Sequence, residues 1–450
     1  MPMRLPSILA DPSVAPGRLW LTGMRLFDGT GAAVRDDAAV LVEDGRIAAV
    51  GRPGDGPPDD ASVIELGGRT LLPGLIDAHS HLKVTRPAPA DGAEPLWPGA
   101  DAHFLAADLR KMLRRGITTV RDVGSYGDLV FEARQAMRYG AFRGPRVLTC
   151  GRIVSATGPG GRFFDGMYRE ADGPDDVRRA VREQLRRGAD FIKVMTTGAR
   201  SVELEDPDPA QLTRTEIAAL VDEAHRQGYR VAAHAEGIDG TEIAVQEGID
   251  TIEHGMYLHH RPDLLEQMAA RCQVLVPTLS CFYGVAGLGD AVGTDGVDFG
   301  AGQQSGSERP ETTWSPMLYR LAHRQLHEAA LTLNSARAAG VRIASGHDWL
   351  PFYDSSIEIL RMIAHGLTAS EALIAATATN ALALGIDDHV GTVTAGKHAD
   401  LTVIDGDPLR HPELLTDSDG IWLVVQGGAM VAGSALEIAV GGPESALQVL

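Results

Sequence analysis

Eight short apolar segments recur along the middle of the chain, and a stretch with helical periodicity follows most of them. The apolar segments span residues 70–77, 118–122, 146–151, 191–195, 230–234, 251–254, 273–277 and 342–345. Residues 175–187 show the helical pattern, with Val177, Val181 and Leu185 on one face and Gly188 just past the end. Eight strands alternating with helices predict an α/β fold, a (β/α)8 TIM barrel. A doubly wound sheet is the alternative, although no Gly-x-Gly-x-x-Gly follows the first strand.

Both ends of the chain have a different pattern, with short alternating segments separated by turn residues. These segments are 19–22, 39–42 and 47–50 near the start and 399–404, 421–426 and 430–431 near the end. We predict that both termini build one small β-sandwich domain, from residues 19–69 and 390–440, beside a barrel of residues 70–389. Residues 1–18, which include Pro6, Pro12 and Pro16, are expected to form a loose N-terminal arm.

The composition excludes several classes of protein. The 450 residues are 44% hydrophobic and 22% charged, without an 18-residue apolar run or the core of a signal peptide, so we expect a cytoplasmic protein without a membrane partner. A net charge of -19 argues against nucleic acid as a partner. Three cysteines without a Cys-x-x-Cys motif predict neither a disulfide framework nor a cysteine metal site.

Two histidines, His79 and His81, stand just past the end of the first apolar strand. In an extended segment residues i and i+2 lie on the same face, and neutral imidazole is the commonest metal-ligating side chain. The alternative is a pair of surface or capping histidines.

Further polar residues occupy the ends of later strands, where a barrel places its active site. Lys193 lies inside the fourth strand, His234 ends the fifth, His254 ends the sixth and Asp348 follows the eighth. Each of them alone has an ordinary structural explanation. Their convergence on one face of the barrel predicts a metal site.

Lys193 is unusual because the chain contains only four lysines against 37 arginines. A lysine inside an apolar strand is costly unless it is used, and the alternative is a lysine whose ammonium reaches solvent or an acidic partner. Unlike arginine, a buried lysine can become a neutral amine. Such an amine can take up CO2 to form a carbamate, which can bridge two divalent metal ions.

With these residues the chain resembles the amidohydrolase superfamily, in the imidazolonepropionase-like branch that includes metal-dependent Xaa-Pro dipeptidases. The motifs that carry the resemblance are Pro-Gly-Leu-Ile-Asp-Ala-His-Ser-His at 73–81 and Gly-Lys-His-Ala-Asp-Leu at 396–401. The resemblance implies that His79, His81 and Asp348 hold one metal. It implies that His234 and His254 hold the other, with carboxylated Lys193 as the bridge, and that the protein is a homo-oligomer. Zinc is the default metal for such ligands.

The expected reaction is hydrolysis of an amide bond in a small molecule, a dipeptide or an N-acyl amino acid, with Asp348 and Lys193 as catalytic residues. One alternative is a deaminase or cyclic-imide hydrolase with a single metal, in which Glu236 moves protons. Another is a non-enzymatic scaffold on a hydrolase fold.

Two positions depart from the pattern of the relatives. Glu236 stands where dipeptidase relatives often have tyrosine, and His347 stands where relatives have threonine. Candidate substrate contacts are Arg152, Glu236, Tyr257 and His347; Lys83, Arg86 and Arg200 are further cations that could hold a carboxylate. The long connections 83–100, 198–212 and 284–311 are expected to be either lids or inert insertions.

Overall fold

The computed structural model describes residues 17–82, 99–199, 202, 204–288, 291–292, 316–349 and 352–436. The predicted N-terminal arm, most of the connections 83–100 and 284–311, and the cations Lys83, Arg86 and Arg200 lie outside the described residues.

The strands of the described residues are β1 (Arg18–Leu26), β2 (Arg35–Glu43), β3 (Arg46–Gly51), β4 (Ser62–Glu65), β5 (Thr70–Pro73), β6 (Leu75–Ser80), β7 (Ile117–Asp122), β8 (Arg146–Thr149), β9 (Ile153–Ser155), β10 (Tyr168–Glu170), β11 (Ile192–Met195), β12 (Val231–Ala235), β13 (Thr251–His254), β14 (Val274–Val276), β15 (Arg342–Ile343), β16 (Leu401–Ile404), β17 (Ile421–Gln426) and β18 (Ala429–Ala432). The helices are α1 (Ala100–Arg114), α2 (Leu129–Arg138), α3 (Pro159–Phe163), α4 (Pro174–Arg187), α5 (Arg214–Arg226), α6 (Ile238–Gln246), α7 (Pro262–Arg271), α8 (Leu279–Val285), α9 (Pro316–Ala338), α10 (Ser356–Ala364), α11 (Ala369–Ile374) and α12 (Asn380–Leu384). A π-helix, Ala375–Thr379, joins the last two, and 3-10 helices span Pro53–Asp55, Leu258–His260, Phe352–Asp354 and Pro412–Leu415.

Strands from both ends of the chain form one sheet in the order β18-β17-β16-β5-β1-β2-β3, with β4 also paired to β1. The two ends join where β5 runs antiparallel to β16, so that Thr70 pairs with Ile404. Apolar residues of both ends, including Leu21, Leu71 and Leu401, share one core. Both ends of the chain therefore contribute to a single eight-stranded sheet, and the predicted sandwich is not confirmed.

The middle of the chain is a mixed α/β structure, as predicted, with parallel strands connected by helices. The strand pairing divides the parallel strands into a seven-stranded sheet, β10-β9-β11-β12-β13-β14-β15, and a three-stranded sheet, β6-β7-β8, and does not itself close them into one barrel. Backbone hydrogen bonds link the two sheets at β6 with the segment after β15 and at β8 with the segment before β11. Ala78 N–H donates to Ser345 O (3.0 Å), and Asp190 N–H donates to Thr149 O (2.8 Å).

Alternation along the strands decides which side chains face away from the helices. In β12, Val231, Ala233 and Ala235 pack in the same core as helices α4 to α7, whereas Ala232 packs in a second core on the opposite face. His234 shares the face of Ala232, because successive side chains of a strand point to opposite faces. By the same rule Lys193 lies on the face opposite Ile192 and Val194 of β11, which pack against the helices.

Asp400, in the Gly-Lys-His-Ala-Asp-Leu motif, connects the terminal sheet to the parallel strands. Its side chain forms a buried ion pair with Arg146 at the start of β8 and accepts a hydrogen bond from Gly427 N–H (2.8 Å). Its backbone carbonyl accepts from Gly74 N–H (2.8 Å), where the chain passes from β5 to β6.

Replacing Asp400 with asparagine is therefore expected to lower the free energy of unfolding by about 3–5 kcal/mol, because it removes the carboxylate of a buried ion pair. Urea unfolding measures the change. Asp405→Asn is a suitable control, since Asp405 pairs with Arg69 at 3.0 Å but its side chain is 53% exposed, and the loss should not exceed about 1 kcal/mol. Equal losses in the two variants would contradict the expectation.

Candidate metal centre

The buried Asp77 fixes the start of the His79–His81 segment through backbone hydrogen bonds. Its carboxylate accepts hydrogen bonds from His79 N–H (3.1 Å) and from His347 N–H (3.2 Å). Burial raises the pKa of Asp77 to about 7. One carboxyl group thus holds the backbone of His79 and that of His347, the residue that precedes Asp348.

The segment after β15 continues alongside β6 and delivers Asp348. Asp348 N–H donates to His79 O (2.9 Å). Asn380 spans the same two segments, because its side-chain amide donates to Ile76 O and to Ser345 O, while its carbonyl oxygen accepts from Ser345 N–H. The backbone of Asp348 has a φ of +49°, a left-handed conformation that a non-glycine residue rarely adopts.

The first ligand group consists of His79, His81 and Asp348, whose candidate ligand atoms all lie within 4.8 Å of one another. Asp348 Oδ1 is 3.6 Å from His79 Nε2 and 3.4 Å from His81 Nε2. In each histidine the other ring nitrogen faces an acceptor: His79 Nδ1 faces Glu253 Oε2 (2.7 Å) and His81 Nδ1 faces Gly124 O (2.5 Å). Both Nδ1 atoms can therefore carry the proton, which leaves the Nε2 lone pairs available to a metal ion.

The second group consists of His234, Glu236 and His254, again within 4.8 Å. His254 Nε2 lies 2.9 Å from His234 Nδ1, and Glu236 Oε1 lies 3.3 Å from His234 Nε2. All three side chains are buried. Glu236 is thus placed as a candidate ligand. The sequence suggested it as a substrate contact or, in the single-metal alternative, as a group that moves protons.

The two groups adjoin each other. The rings of His79 and His254 lie 5.2 Å apart between centroids, and His254 Nδ1 lies 3.9 Å from Asp348 Oδ2. The five predicted histidine and aspartate ligands, which four different strands or their ends supply, therefore come together in one place.

Lys193 is 2% exposed, and its Nζ has no hydrogen-bond partner among the described residues. Burial lowers its pKa, although Glu253 and Asp348 oppose the shift. Burial and the nearby Lys193 also hold the pKa of His79 well below its usual value, which favours the neutral, metal-binding imidazole. A buried amine near these histidines, without a hydrogen-bond partner in the described ranges, fits a site that a further group completes. A carbamate and metal ions would complete it.

Two charged residues that the sequence reasoning missed support His79. In β13, Glu253 Oε2 lies 2.7 Å from His79 Nδ1. Its other carboxylate oxygen, Oε1, accepts a hydrogen bond from Arg121 Nη2 (2.7 Å). Arg121 also donates to Ala78 O and to Thr251 Oγ1. A carboxylate behind a metal-ligating histidine fixes the ring and raises its basicity. The sequence did contain a signal for both residues, because each is a charged residue inside a predicted apolar strand, Arg121 in 118–122 and Glu253 in 251–254.

His254 is positioned by the turn that follows β14. Thr278 Oγ1 lies 2.7 Å from His254 Nδ1, and Thr278 itself has a φ of +48°. The buried Glu358 of α10 anchors the next residues, accepting from Leu279 N–H and Ser280 N–H (both 2.8 Å). His254 has a φ of +69°. Left-handed backbone at His254, Thr278 and Asp348 is the kind of local strain that functional sites retain.

The remaining predicted substrate contacts have other surroundings. Arg152 follows β8, where its N–H donates to Gln184 of α4 (3.0 Å) and its Nε has no hydrogen-bond partner among the described residues. Tyr257 stacks on His260, with ring centroids 6.5 Å apart. The ring of His347 is buried, and burial together with nearby Arg361 lowers its pKa to about 3. Their contact with substrate stays a prediction.

Two adjoining groups of histidines and carboxylates, at the carboxyl ends of parallel strands and beside a buried lysine, define a metal-dependent hydrolase site.

Of the helices in the described ranges, none is long and apolar enough to cross a membrane.

Comparison with known proteins gives the family. The profile of the amidohydrolase family matches residues 70–431. The chain is 28% identical to ochratoxinase of Aspergillus niger over 463 residues, which cover 96% of this chain and 90% of that protein. It is 28% identical to imidazolonepropionase of Paracoccus denitrificans over 430 residues, 86% of this chain and 91% of that protein. The solved structure of a Xaa-Pro dipeptidase with methionine bound in the active site matches with a TM-score of 0.78 and 26% identity, covering 92% of this chain and 99% of that one. The chain belongs to the amidohydrolase family and is a hydrolase that acts on carbon–nitrogen bonds.

Proposed function

We propose that this protein hydrolyses the amide bond of a dipeptide or N-acyl amino acid with two divalent metal ions, zinc by default, and a carboxylated Lys193 between them. The proposal is carried by one observation: two ligand groups meet at Asp348 and His254, beside a Lys193 amine that has no hydrogen-bond partner in the described part of the chain. We further propose that the two parallel sheets belong to one (β/α)8 barrel, supported by the backbone hydrogen bonds between them. This barrel would begin at β6 and end near residue 389, because β5 pairs with β1 and β16 of the terminal sheet.

His79, His81 and Asp348 would hold one ion, and His234 and His254, with Glu236 available, would hold the other. Divalent metal ions, when bound there, polarise an amide carbonyl and lower the pKa of a water molecule to about 7. Asp348 is the residue placed to move the proton, because its carboxylate lies among three histidines. It would accept a proton from the attacking water and return it to the departing amine. Glu253 and Thr278 would keep the His79 and His254 rings in place.

The substrate class rests on the relatives and on one cation of this chain. Ochratoxinase and a Xaa-Pro dipeptidase are among the similar proteins. Arg152, at the carboxyl end of β8, is half-buried and offers an Nε without a hydrogen-bond partner among the described residues. A guanidinium so placed suits the free carboxylate of an amino-acid product.

The test is amine release from a library of dipeptides and N-acyl amino acids by protein loaded with zinc, manganese or cobalt. Each active substrate is compared with its carboxamide, which lacks the free carboxylate. We expect turnover of the acids and loss of most of it for the carboxamides. No turnover of any amide by fully metallated protein would refute the proposal.

The second candidate is a deaminase or cyclic-imide hydrolase that uses one metal. The observation in its favour is the buried Glu236, which lies 3.3 Å from His234 and could move protons there. Ammonia release from aminated heterocycles, or ring opening of cyclic imides, without hydrolysis of open-chain amides would select it.

Glu253→Gln is expected to weaken metal binding about 10- to 100-fold, because the neutral amide no longer supports the proton on His79 Nδ1. Competition with a chelator measures the affinity. The variant also leaves Arg121 without its buried carboxylate and should lose stability. Asp190→Asn is the matched control, since it removes the carboxylate of another buried ion pair, Asp190–Arg134. An equal loss of metal affinity in the control would show that the effect is only structural.

A further inference from the structure

A third group of metal-ligating side chains lies outside the centre described above. His259 and His260 end the 3-10 helix Leu258–His260, which follows β13, and Glu328 faces them from the middle of α9. Their candidate ligand atoms all lie within 4.8 Å of one another. Hydrolysis as proposed above makes no use of these residues.

The spacing of the three atoms suits a shared ion. Glu328 Oε2 lies 3.0 Å from His259 Nε2 and 3.5 Å from His260 Nε2. Two ligand atoms about 2.1 Å from a zinc ion and roughly 90–110° apart are separated by about 3.0–3.4 Å. The corresponding distances in the first ligand group, 3.6 and 3.4 Å, are similar.

The orientation of the groups also points to a common target. His259 Nε2 and Glu328 Oε2 are both buried atoms, and neither makes a hydrogen bond among the described residues although they lie 3.0 Å apart. The relative orientation of the imidazole and the carboxylate is therefore unsuitable for a hydrogen bond between these two atoms. Two buried polar atoms in such a position are normally satisfied by a third partner.

The surroundings hold the site in place and leave one side open. The other nitrogen of His259, Nδ1, lies 3.0 Å from Thr332 Oγ1, one turn beyond Glu328 on α9, which fixes the ring. The side chains of His259 and Glu328 are 10% and 20% exposed, whereas that of His260 is 65% exposed. An ion can approach past His260, and solvent can supply a fourth ligand.

We propose that His259, His260 and Glu328 form a separate binding site for a divalent transition metal ion, with zinc as the best match to two imidazoles and one carboxylate. The ion would fasten α9 to the turn that follows the strand of His254. Its charge would be partly neutralised by Glu328. The proposal does not depend on the reaction that the protein catalyses.

Zinc content after dialysis at micromolar free zinc, measured by elemental analysis of the full chain, tests the site. His260→Ala should retain one zinc ion per chain fewer than the wild type, and Glu328→Gln should show the same loss. His260 is mostly exposed, so its replacement leaves the fold intact. His411→Ala is the matched control, because His411 is 63% exposed and also lies 3.2 Å from a carboxylate, that of Glu413; its zinc content should equal that of the wild type.

A second measurement uses the predicted fastening of α9. Added zinc should raise the melting temperature of the wild type and of His411→Ala more than that of His260→Ala. Equal zinc content in the wild type, His260→Ala and Glu328→Gln would overturn the proposal and leave an ordinary histidine–carboxylate ion pair. A loss of the same size in His411→Ala would also overturn it, since binding would then be a general property of exposed histidines.

Discussion

Lys193→Ala should abolish amide hydrolysis and remove about half of the metal bound at the catalytic centre. Loss of a residue that is hydrogen-bonded to a metal ligand costs about 10- to 100-fold in metal affinity or activity. Loss of Lys193, whose carbamate is proposed to bind both ions, should therefore lower kcat/KM more than about 100-fold. The methyl group of alanine leaves a space where the buried amine stood. Metal stoichiometry and kcat/KM, measured on the same sample, check both parts.

Small carboxylates provide a direct test of the carbamate. Acetate or propionate can enter the space vacated in Lys193→Ala and supply the missing anion, so either should restore part of the activity and the lost metal. Lys111→Ala is the control, because Lys111 lies on the surface beside Asp108 (3.1 Å) and is 47% exposed. Unchanged metal content in Lys193→Ala would favour the single-metal alternative, in which no bridge is needed.

Asp348→Asn should lower kcat about 10²- to 10⁴-fold, which is the usual contribution of a positioned acid or base. Asparagine has nearly the same shape and keeps one oxygen toward His79 and His81, but it cannot accept the proton of the attacking water. Activity is measured at saturating metal, so that weaker binding does not account for the loss.

Asp354→Asn is the matched control for this substitution. Asp354 lies six residues further along the chain, pairs with Arg115 at 3.0 Å and is 36% exposed, so its replacement should leave kcat unchanged. Wild-type kcat in Asp348→Asn would mean that another group, such as Glu236, moves the proton.

The strand order of the middle of the chain was largely predictable, because apolar segments and turn residues alternate regularly. The segment 251–254 has the predicted bounds, and the helix predicted at 175–187 is α4 with Gly188 in the left-handed C-cap. The segment 70–77 proved to be two strands, β5 and β6, in different sheets. The break falls at Gly74, where a side chain would collide with Thr118, and an apolar pattern cannot show such a close approach. The three-residue strands β9 and β10 were missed because they are too short for periodicity.

The site was predictable where ligands stand at strand ends. Histidine and aspartate ligands could be placed by combining their positions with the geometry of parallel strands, and the structure brings them together. Glu253 and Glu358 could not be assigned in this way. Their roles depend on which residue lies opposite in space, His79 for the first and the start of α8 for the second, and no local spacing encodes those pairings. The grouping of Glu236 with two histidines was missed for the same reason.

The hydrogen bond from Asp348 N–H to His79 O joins residues that are 269 positions apart in the sequence. During synthesis at about 5–20 residues per second, His79 and His81 leave the ribosome roughly 13–54 s before Asp348 does. Throughout that interval the nascent chain carries two imidazoles that can bind a metal ion only loosely, without their carboxylate. The proposed metal centre can therefore be completed only after translation has passed β15, the strand that precedes Asp348.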